Sequence, residues 1–276
     1  MPVSDGLFRG MDRATLDAAY NNRAAVREYP AISAARAAES ARYRAATRFQ
    51  ADLRYGEGAR ERIDFFPAAT PGAPVLAFIH GGYWQSNDKE ASSFLAPGPL
   101  ACGFSVALIE YTLAPAARMG QIVAEVRRAV DWLAANAAGL GAGPIFVAGN
   151  SAGGHLAACT LDLPAVRGVV AISGLYDLAP ISLNYLNEAL QLTPDDVSRF
   201  SPLRNIPDTS TPIVVAVGAA ELPELVRQSA DYAAALKAKG LRAEYLSLAG
   251  HDHFSILEEL RRPEGALCRA LQGLAR

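Results

Sequence analysis

Ser151 lies in a short segment whose residue types suit nucleophilic catalysis. The residues around it read Gly149-Asn150-Ser151-Ala152-Gly153, a Gly-x-Ser-x-Gly pattern. The apolar run 145–148 before it predicts a buried strand, and the small residues after it predict a helix. A strand, a sharp glycine-flanked turn and a helix form a nucleophile elbow, which holds a serine hydroxyl clear of the backbone. The segment therefore predicts Ser151 as the nucleophile of an acyl-transfer reaction.

A serine nucleophile needs a base, and the chain has four histidines for that role. His80 ends a predicted strand beside two glycines, and His155 follows Ser151 by one helical turn. We expect the first to shape its turn and the second to pack beneath the elbow. His253 is the predicted base, because it follows the last predicted strand and the histidine comes last in this chain order. His251, two residues earlier, stays open as the alternative.

The acid that orients the histidine is expected between the nucleophile and the base in the sequence. Glu221 is the first carboxylate after the predicted strand 212–217. It is the predicted acid, with a role at the start of a helix as the other interpretation. Glu224 is the second candidate, but its place in the first turn of the next predicted helix suits an interaction with the helix dipole.

Backbone N–H groups are the predicted donors to the oxyanion that develops during acyl transfer. Ala152 directly follows the nucleophile, at the start of a predicted helix. A second segment, His80-Gly81-Gly82-Tyr83-Trp84, follows another predicted strand, and its glycines let N–H groups approach a substrate closely. We expect Gly82, Tyr83 and Ala152 to donate; the other interpretation of the second segment is an ordinary glycine turn, but the loop after this strand is where the second oxyanion donor belongs.

Strands that alternate with helices from residue 51 onward must position these side chains. The predicted strands are 52–55, 62–66, 75–79, 104–109, 145–148, 168–172, 212–217 and 243–248, and the predicted helices are 119–133, 222–239 and 254–274. The first two strands are predicted to be antiparallel. The alternation predicts an α/β protein with a mostly parallel, doubly wound sheet and helices on both faces. Sites in such sheets gather at the carboxyl ends of the strands.

Two segments of the predicted single domain, residues 1–276, fall outside this alternation. Residues 1–50 predict a helical arm, with helices at 11–20 and 31–49, that packs on the domain or walls the substrate site. Residues 176–206 form a long, apolar connection that is typical of a lid or a pocket wall. The aromatic residues expected to form a wall of the substrate site are Tyr83, Trp84, Tyr176 and Tyr185, although a single aromatic residue is more often part of the core.

The composition narrows the class of protein. The chain has 276 residues, of which 51% are hydrophobic and 20% charged, and its formal net charge is −2. With no basic block and no long apolar run, nucleic-acid binding and membrane association have no support. The N-terminus lacks the pattern of a signal peptide, and the three cysteines are widely spaced. We therefore expect a cytoplasmic protein without a disulfide framework, metal or cofactor.

The motifs resemble those of a known group of enzymes, the α/β-hydrolases of the kynurenine formamidase (arylformamidase) and carboxylesterase group. The resemblance rests on His80-Gly81-Gly82-Tyr83-Trp84, Gly149-Asn150-Ser151-Ala152-Gly153-Gly154-His155, Glu221-Leu222-Pro223-Glu224, Arg227-Gln228-Ser229 and His251-Asp252-His253-Phe254. Tyr20-Asn21-Asn22-Arg23 also resembles bacterial members. The resemblance implies a triad of Ser151, Glu221 and His253. The chain differs from the group in Asn150, where histidine is frequent, and in Glu221, where aspartate is common.

These features predict a serine hydrolase that cleaves a small-molecule ester or aryl formamide, such as N-formylkynurenine, through an acyl-enzyme. A thioesterase is a further enzymatic interpretation. The alternative from another class is a catalytically silent α/β-hydrolase fold that serves as a ligand-binding module; such a protein would typically lack the acid or the histidine. The oligomeric state stays open, with a homodimer as one option.

Overall fold

A central eight-stranded sheet organises the chain in the computed structural model, which describes residues 6–276. Its strands are β1 (Gln50–Arg54), β2 (Arg62–Phe66), β3 (Ala73–Ile79), β4 (Ser105–Ile109), β5 (Ala142–Asn150), β6 (Val166–Ile172), β7 (Ile213–Gly218) and β8 (Ala243–Leu248). Their order across the sheet is β1-β2-β4-β3-β5-β6-β7-β8. β1 and β2 are antiparallel to their neighbours, and the other pairings are parallel. The predicted mostly parallel sheet is confirmed.

Helices fill the connections between the strands. Within residues 6–276 they are α1 (Arg13–Ala19), α2 (Asn22–Ala25), α3 (Tyr29–Ala46), α4 (Pro97–Ala101), α5 (Met119–Asn136), α6 (Ala152–Ala158), α7 (Ala179–Ser182), α8 (Asn187–Leu190), α9 (Pro194–Phe200), α10 (Pro223–Ala238), α11 (Glu258–Arg261) and α12 (Ala266–Leu274). Short 3₁₀ helices occupy Glu90–Leu95 and Ser255–Leu257. The predicted C-terminal helix 254–274 is therefore three shorter helical pieces.

The sheet buries both of its faces, which is typical of parallel sheets covered by helices. Along β3, Val75 and Ile79 belong to one apolar core, whereas Leu76 and Phe78 belong to the other. Successive side chains of a strand point to opposite faces, so one strand contributes to both cores. The first core includes residues of α5, α6 and α10, and the second includes residues of α12. Helices therefore cover both faces, as predicted.

Within residues 6–50 the N-terminal arm contains α1, α2 and α3, and its longest helix begins earlier than expected; residues 1–5 of the predicted arm lie outside the described residues. The sequence predicted a helix from residue 31, after Pro30, whereas α3 starts at Tyr29 and carries the proline in its first turn. Proline is tolerated there because the first N–H groups of a helix have no partner within the helix. Ser40 of α3 accepts a hydrogen bond from the Phe94 N–H (3.0 Å) and donates one to the Ala91 carbonyl (2.9 Å). These bonds fix the arm to the 3₁₀ helix Glu90–Leu95.

The segment 176–206 is packed into the protein rather than extended over its surface. Its buried apolar residues belong to the first core: Leu178, Ile181, Leu186, Leu190, Leu192 and Val197. The backbone N–H of Tyr185 donates to Asp17 of α1 at 2.8 Å, and Gln85 donates to the Leu186 carbonyl at 2.9 Å. The high apolar content that suggested a lid is therefore explained by core packing.

Candidate active site

Ser151 lies on a strained turn between β5 and α6. Its φ and ψ angles are 59° and −118°, a conformation that L-residues other than glycine rarely adopt. A Cβ on Gly149 would overlap the Gly153 carbonyl, and one on Gly153 would overlap the Ile79 carbonyl of β3. The two glycines therefore allow the close approach of strand, turn and helix. This is the geometry of the nucleophile elbow that the sequence predicted.

His253 and Glu221 form a buried pair at the carboxyl edge of the sheet. His253 lies in the loop after β8, and Glu221 lies in the loop after β7. The Nδ1 atom of the imidazole is 2.6 Å from Oε2 of the carboxylate. Because a carboxylate can only accept, Nδ1 carries the proton and Nε2 is left as the acceptor. His253 and Ser151 line the same cavity, so the arrangement suits a base that serves the serine.

Ser173 is part of the acid's surroundings and was not predicted. Its hydroxyl donates to Oε1 of Glu221 at 2.5 Å, and the Gly218 N–H donates to the same oxygen at 2.8 Å. Ser173 directly follows β6 and has a φ of 51°. A polar residue that ends a parallel strand was the available signal, since strand ends meet at this edge. With these two donors on one oxygen, the carboxylate is held with its other oxygen toward His253.

Glu224, the alternative acid, has different partners. Its Oε2 atom is 2.7 Å from Nη2 of Arg227 and accepts from the Tyr20 hydroxyl at 3.0 Å. Burial opposes ionisation of Glu224, but Arg227 outweighs it and holds the pKa of that carboxyl below its usual range. Glu224 therefore joins α10 to the N-terminal arm and does not contact His253.

The other three histidines have partners away from the nucleophile. His155 is fully buried beneath the elbow, donates from Nε2 to the Phe200 carbonyl at 2.7 Å, and has a pKa lowered to about 4 by burial. His251 lies 3.3 Å from Glu259. His80 borders the cavity, but its ring nitrogens lie 2.9 Å from the Gly81 carbonyl and 3.0 Å from Glu110. The predicted packing role of His155 is confirmed.

The loop after β3 presents backbone N–H groups beside Ser151. Gly82 has a φ of 112° and Tyr83 a φ of 51°. Within residues 6–276, neither of their N–H groups donates to a backbone acceptor. A Cβ on Gly81 would lie 3.1 Å from Cβ of Ser151, so the loop runs directly past the nucleophile. Ala152, at the first position of α6, also has no intrahelical acceptor for its N–H. These three groups suit the stabilisation of an oxyanion.

The N-terminal arm covers the nucleophile and fixes the loop after β3. The Tyr83 hydroxyl donates to the Tyr20 carbonyl at 2.5 Å and accepts from Nδ2 of Asn22 at 2.9 Å. A cavity of about 160 Å³ lies between the arm, this loop and the elbow. The arm residues that line it are Asn22, Arg23, Tyr29, Ile32, Ser33, Arg36 and Ala37. The arm therefore packs on the domain and also lines the cavity, which are the two roles predicted for it.

Of the four residues of the predicted aromatic wall, Tyr83 lines the cavity beside Ser151. Trp84 and Tyr176 are fully buried, and none of Trp84, Tyr176 and Tyr185 is among the described residues that line the cavity. The Trp84 ring packs edge-on against His155 with centroids 5.0 Å apart, and Tyr176 stacks on Tyr232 at 4.3 Å. The aromatic residues that do line the cavity are Tyr29, Phe78, Tyr83, Phe94 and Phe254.

The segment 176–206 also contributes no residue to the cavity among those the structure describes. The N-terminal arm forms that wall of the cavity instead, and a role of the segment as a lid stays a prediction. Over residues 6–276, no group of three His, Cys, Asp or Glu side chains is arranged to hold a metal ion. In the same part of the chain, each helix is too short or too polar to cross a bilayer.

Comparison with known proteins identifies the family. A family model described as BD-FAE matches residues 64–236. The kynurenine formamidase of Danio rerio is 35% identical over 234 residues, which cover 79% of each chain. The chain belongs to the kynurenine formamidase and carboxylesterase group of α/β-hydrolases. A second relative in this group, the kynurenine formamidase of Drosophila melanogaster, is 32% identical over 80% of each chain.

Solved structures agree with this family. A protein from Silicibacter sp. TM1040, described provisionally as a thioesterase, has a TM-score of 0.86 and 33% identity, covering 92% of this chain and 97% of its own. An esterase from Pyrobaculum calidifontis has a TM-score of 0.70 at 21% identity, covering 88% and 93%. The second likeness shows the fold alone. The predicted family and fold are confirmed, and this α/β-hydrolase is an enzyme that acts as a hydrolase.

Proposed function

We propose that this hydrolase removes a small acyl group from an aryl formamide or ester through a Ser151 acyl-enzyme. The observation that carries the proposal is the 2.6 Å contact between Glu221 and His253, whose side chain lines the same cavity as the strained Ser151. An acid, a base with a free ring nitrogen, and a serine that borders the cavity are the parts that this chemistry needs.

The reaction follows from these positions. Nε2 of His253 takes the Ser151 proton while Oγ attacks the substrate carbonyl, and Glu221 stabilises the imidazolium. The N–H groups of Gly82, Tyr83 and Ala152 donate to the oxyanion of the tetrahedral intermediate. When the C–N or C–O bond breaks, His253 protonates the departing arylamine or alcohol. A water molecule, deprotonated by His253, then hydrolyses the acyl-enzyme and restores Ser151.

An aryl formamide is the substrate class that we favour within this reaction. Two relatives of at least 32% identity over about four fifths of the chain are named kynurenine formamidases. The cavity is lined by aromatic rings and measures about 160 Å³. A cavity of roughly 150 Å³ is enough to hold a benzene ring. One aryl group therefore fits in the cavity that Ser151 lines.

Substrate comparison tests this proposal. We expect kcat/KM for N-formylkynurenine to exceed that for p-nitrophenyl acetate and p-nitrophenyl butyrate by at least ~100-fold, because acyl size and leaving-group shape are both selected. Ser151→Ala should lower kcat by on the order of 10⁴–10⁶-fold, as expected when a triad serine is removed. Its circular dichroism spectrum and melting temperature serve as the folding control. Retained turnover in a folded Ser151→Ala enzyme would rule the mechanism out.

Two other functions are distinguished by the same preparation. A thioesterase is the second candidate, because the Silicibacter protein with 33% identity is described provisionally in that way; faster cleavage of acetyl-coenzyme A than of either ester class would favour it. A silent binding module would resist labelling by a serine-reactive phosphonate. A cytoplasmic location is also part of the proposal, supported by three cysteines without disulfides, whereas a homodimer stays a prediction.

A further inference from the structure

The cavity beside Ser151 is positively charged although the whole protein is not. The formal net charge of the chain is −2. Two guanidinium side chains, Arg23 and Arg36, line the cavity, and no Asp or Glu is among its described lining residues. The other described lining residues are largely apolar and aromatic, so the cavity walls supply no carboxylate to offset these charges. The interior therefore favours an anionic ligand over a neutral or cationic one.

The two arginines differ in how they are used. Arg36 donates from Nη2 to the Phe254 carbonyl at 2.8 Å and to Glu258 at 3.2 Å, so its charge is compensated within the protein. Arg23 has no carboxylate within 4.0 Å among residues 6–276, and it is exposed where it lines the cavity. Its recorded hydrogen bond, from Nη2 to Oγ of Ser86, is 2.9 Å long. Arg23 therefore has most of its five N–H donors available.

Arg23 is held in place even though it is exposed. Its guanidinium lies 5.4 Å from the ring centroid of Tyr29, a cation–π contact that orients the plane of the group. The hydroxyl of Ser86, which accepts from Arg23, donates in turn to the Gly82 carbonyl at 3.1 Å. The arginine is thus joined to the loop that carries the oxyanion donors. An oriented guanidinium loses less conformational entropy on binding than a free one.

We propose that Arg23 binds a carboxylate on the substrate. It would thereby make the enzyme selective for aryl esters or aryl formamides that also carry a carboxylate. This inference rests on the proposed function, because the carboxylate must belong to the molecule that Ser151 attacks. A planar guanidinium matches a carboxylate with two parallel N–H···O bonds. A single uncompensated charge in a cavity of about 160 Å³ suits one carboxylate on an aryl substrate rather than a polyanion. It also gives a role to the Tyr20-Asn21-Asn22-Arg23 motif.

A pair of esters that differ only in charge tests the proposal. The substrates are 3-acetoxyphenylacetate and 3-acetoxyphenylacetamide, whose cleavage does not depend on formamidase activity. We expect wild-type enzyme to prefer the carboxylate, and Arg23→Gln to lower the ratio of the two kcat/KM values by about 10- to 100-fold, through KM. Arg23→Lys should keep part of the preference, because it retains the charge without the planar fork. Added NaCl should weaken the wild-type preference.

Arg27 provides the matched control, since it is an exposed arginine of the same arm that does not line the cavity. Arg27→Gln should leave the substrate ratio at the wild-type value. If Arg23→Gln leaves the ratio of the two kcat/KM values unchanged, the proposal is overturned, even when both values fall equally. Arg23 would then only support the loop through Ser86. A wild-type enzyme that does not distinguish the two esters would also overturn the proposal.

Binding separates this proposal from the proposed function. Calorimetry with the Ser151→Ala enzyme compares 3-hydroxyphenylacetate with 3-hydroxyphenylacetamide and needs no turnover. Tighter binding of the acid that is lost in Ser151→Ala/Arg23→Gln supports the anion site, even if wild-type enzyme cleaves neither ester. Equal binding of acid and amide overturns it, even if wild-type enzyme cleaves both.

Discussion

Glu221→Gln is the substitution that most sharply tests how the acid works. A glutamine has the same shape but replaces one carboxylate oxygen by an NH₂ group. The Gly218 N–H donates to Oε1 of Glu221 at 2.8 Å, and a backbone N–H cannot become an acceptor. The glutamine oxygen is therefore forced to the Oε1 position, also contacted by Ser173. Its NH₂ group must then take the position of Oε2, which lies 2.6 Å from Nδ1 of His253 in the wild-type protein.

The consequence is a histidine in the wrong tautomer. An NH₂ group can only donate to Nδ1, so the imidazole proton moves to Nε2, the atom that should accept the serine proton. Loss of this tautomer control in a Ser-His-Asp triad lowers kcat by about 10⁴-fold, which corresponds to ~5 kcal/mol of transition-state stabilisation. We expect a loss of this order in Glu221→Gln, with KM little changed, because the carboxylate does not line the cavity.

Single-turnover kinetics with p-nitrophenyl acetate across a pH series would measure this loss. The matched control is Glu224→Gln, a second carboxylate of the same region that contacts Tyr20 and Arg227. It should alter the melting temperature and keep kcat within a few-fold of wild type. A folded Glu221→Gln enzyme that keeps more than a tenth of the wild-type kcat would refute the argument from Gly218, and with it the assignment of the acid.

Two further predictions concern the oxyanion loop and the buried histidine. Gly82 has a φ of 112°, and in Gly82→Ala the new Cβ would overlap the Ser86 carbonyl. We expect this change to lower kcat by about 10²–10³-fold, because it displaces the oxyanion loop. The control is Gly240→Ala, where the φ is 88° but no atom lies near the new Cβ, and it should affect only the melting temperature. Burial lowers the pKa of His155 from 6.5 to about 4 in the folded protein. Between these pH values, His155 is therefore protonated in the unfolded chain and neutral in the folded one. Urea titrations should show stability falling by up to ~3 kcal/mol between pH 6.5 and 4, and a parallel pH curve for His155→Gln would contradict this.

Local sequence signals were sufficient for the sheet and for the chemical groups at its edge. The run 145–148 before Gly149 predicts a strand followed by a tight turn, because its apolar residues and glycine spacing leave few other conformations. The order of Ser151, Glu221 and His253 follows from the same local signals, since each residue lies in the turn or loop that follows a predicted strand. Parallel strands bring their carboxyl ends to one edge, so the three residues could be expected near one another.

The walls of the site could not be predicted in this way, since they depend on contacts between distant parts of the chain. An aromatic residue such as Tyr176 is equally suited to a core and to a cavity wall, so its residue type does not tell the two apart. Tyr176 is buried because it stacks on Tyr232, a residue of α10. Ser173 contacts Glu221 across 48 positions of sequence. Arg23 and Ser86, which form a hydrogen bond, are 63 positions apart in the sequence.

The sequence by itself thus determined the fold, the family and the order of the candidate reacting groups, because those depend on periodicity, turn chemistry and motif. Tertiary structure alone decided which segment covers the nucleophile, which residues hold the acid, and which charge is left uncompensated in the cavity. Those features depend on side-chain packing and on charge pairs across long separations, for which single residues carry no local signature.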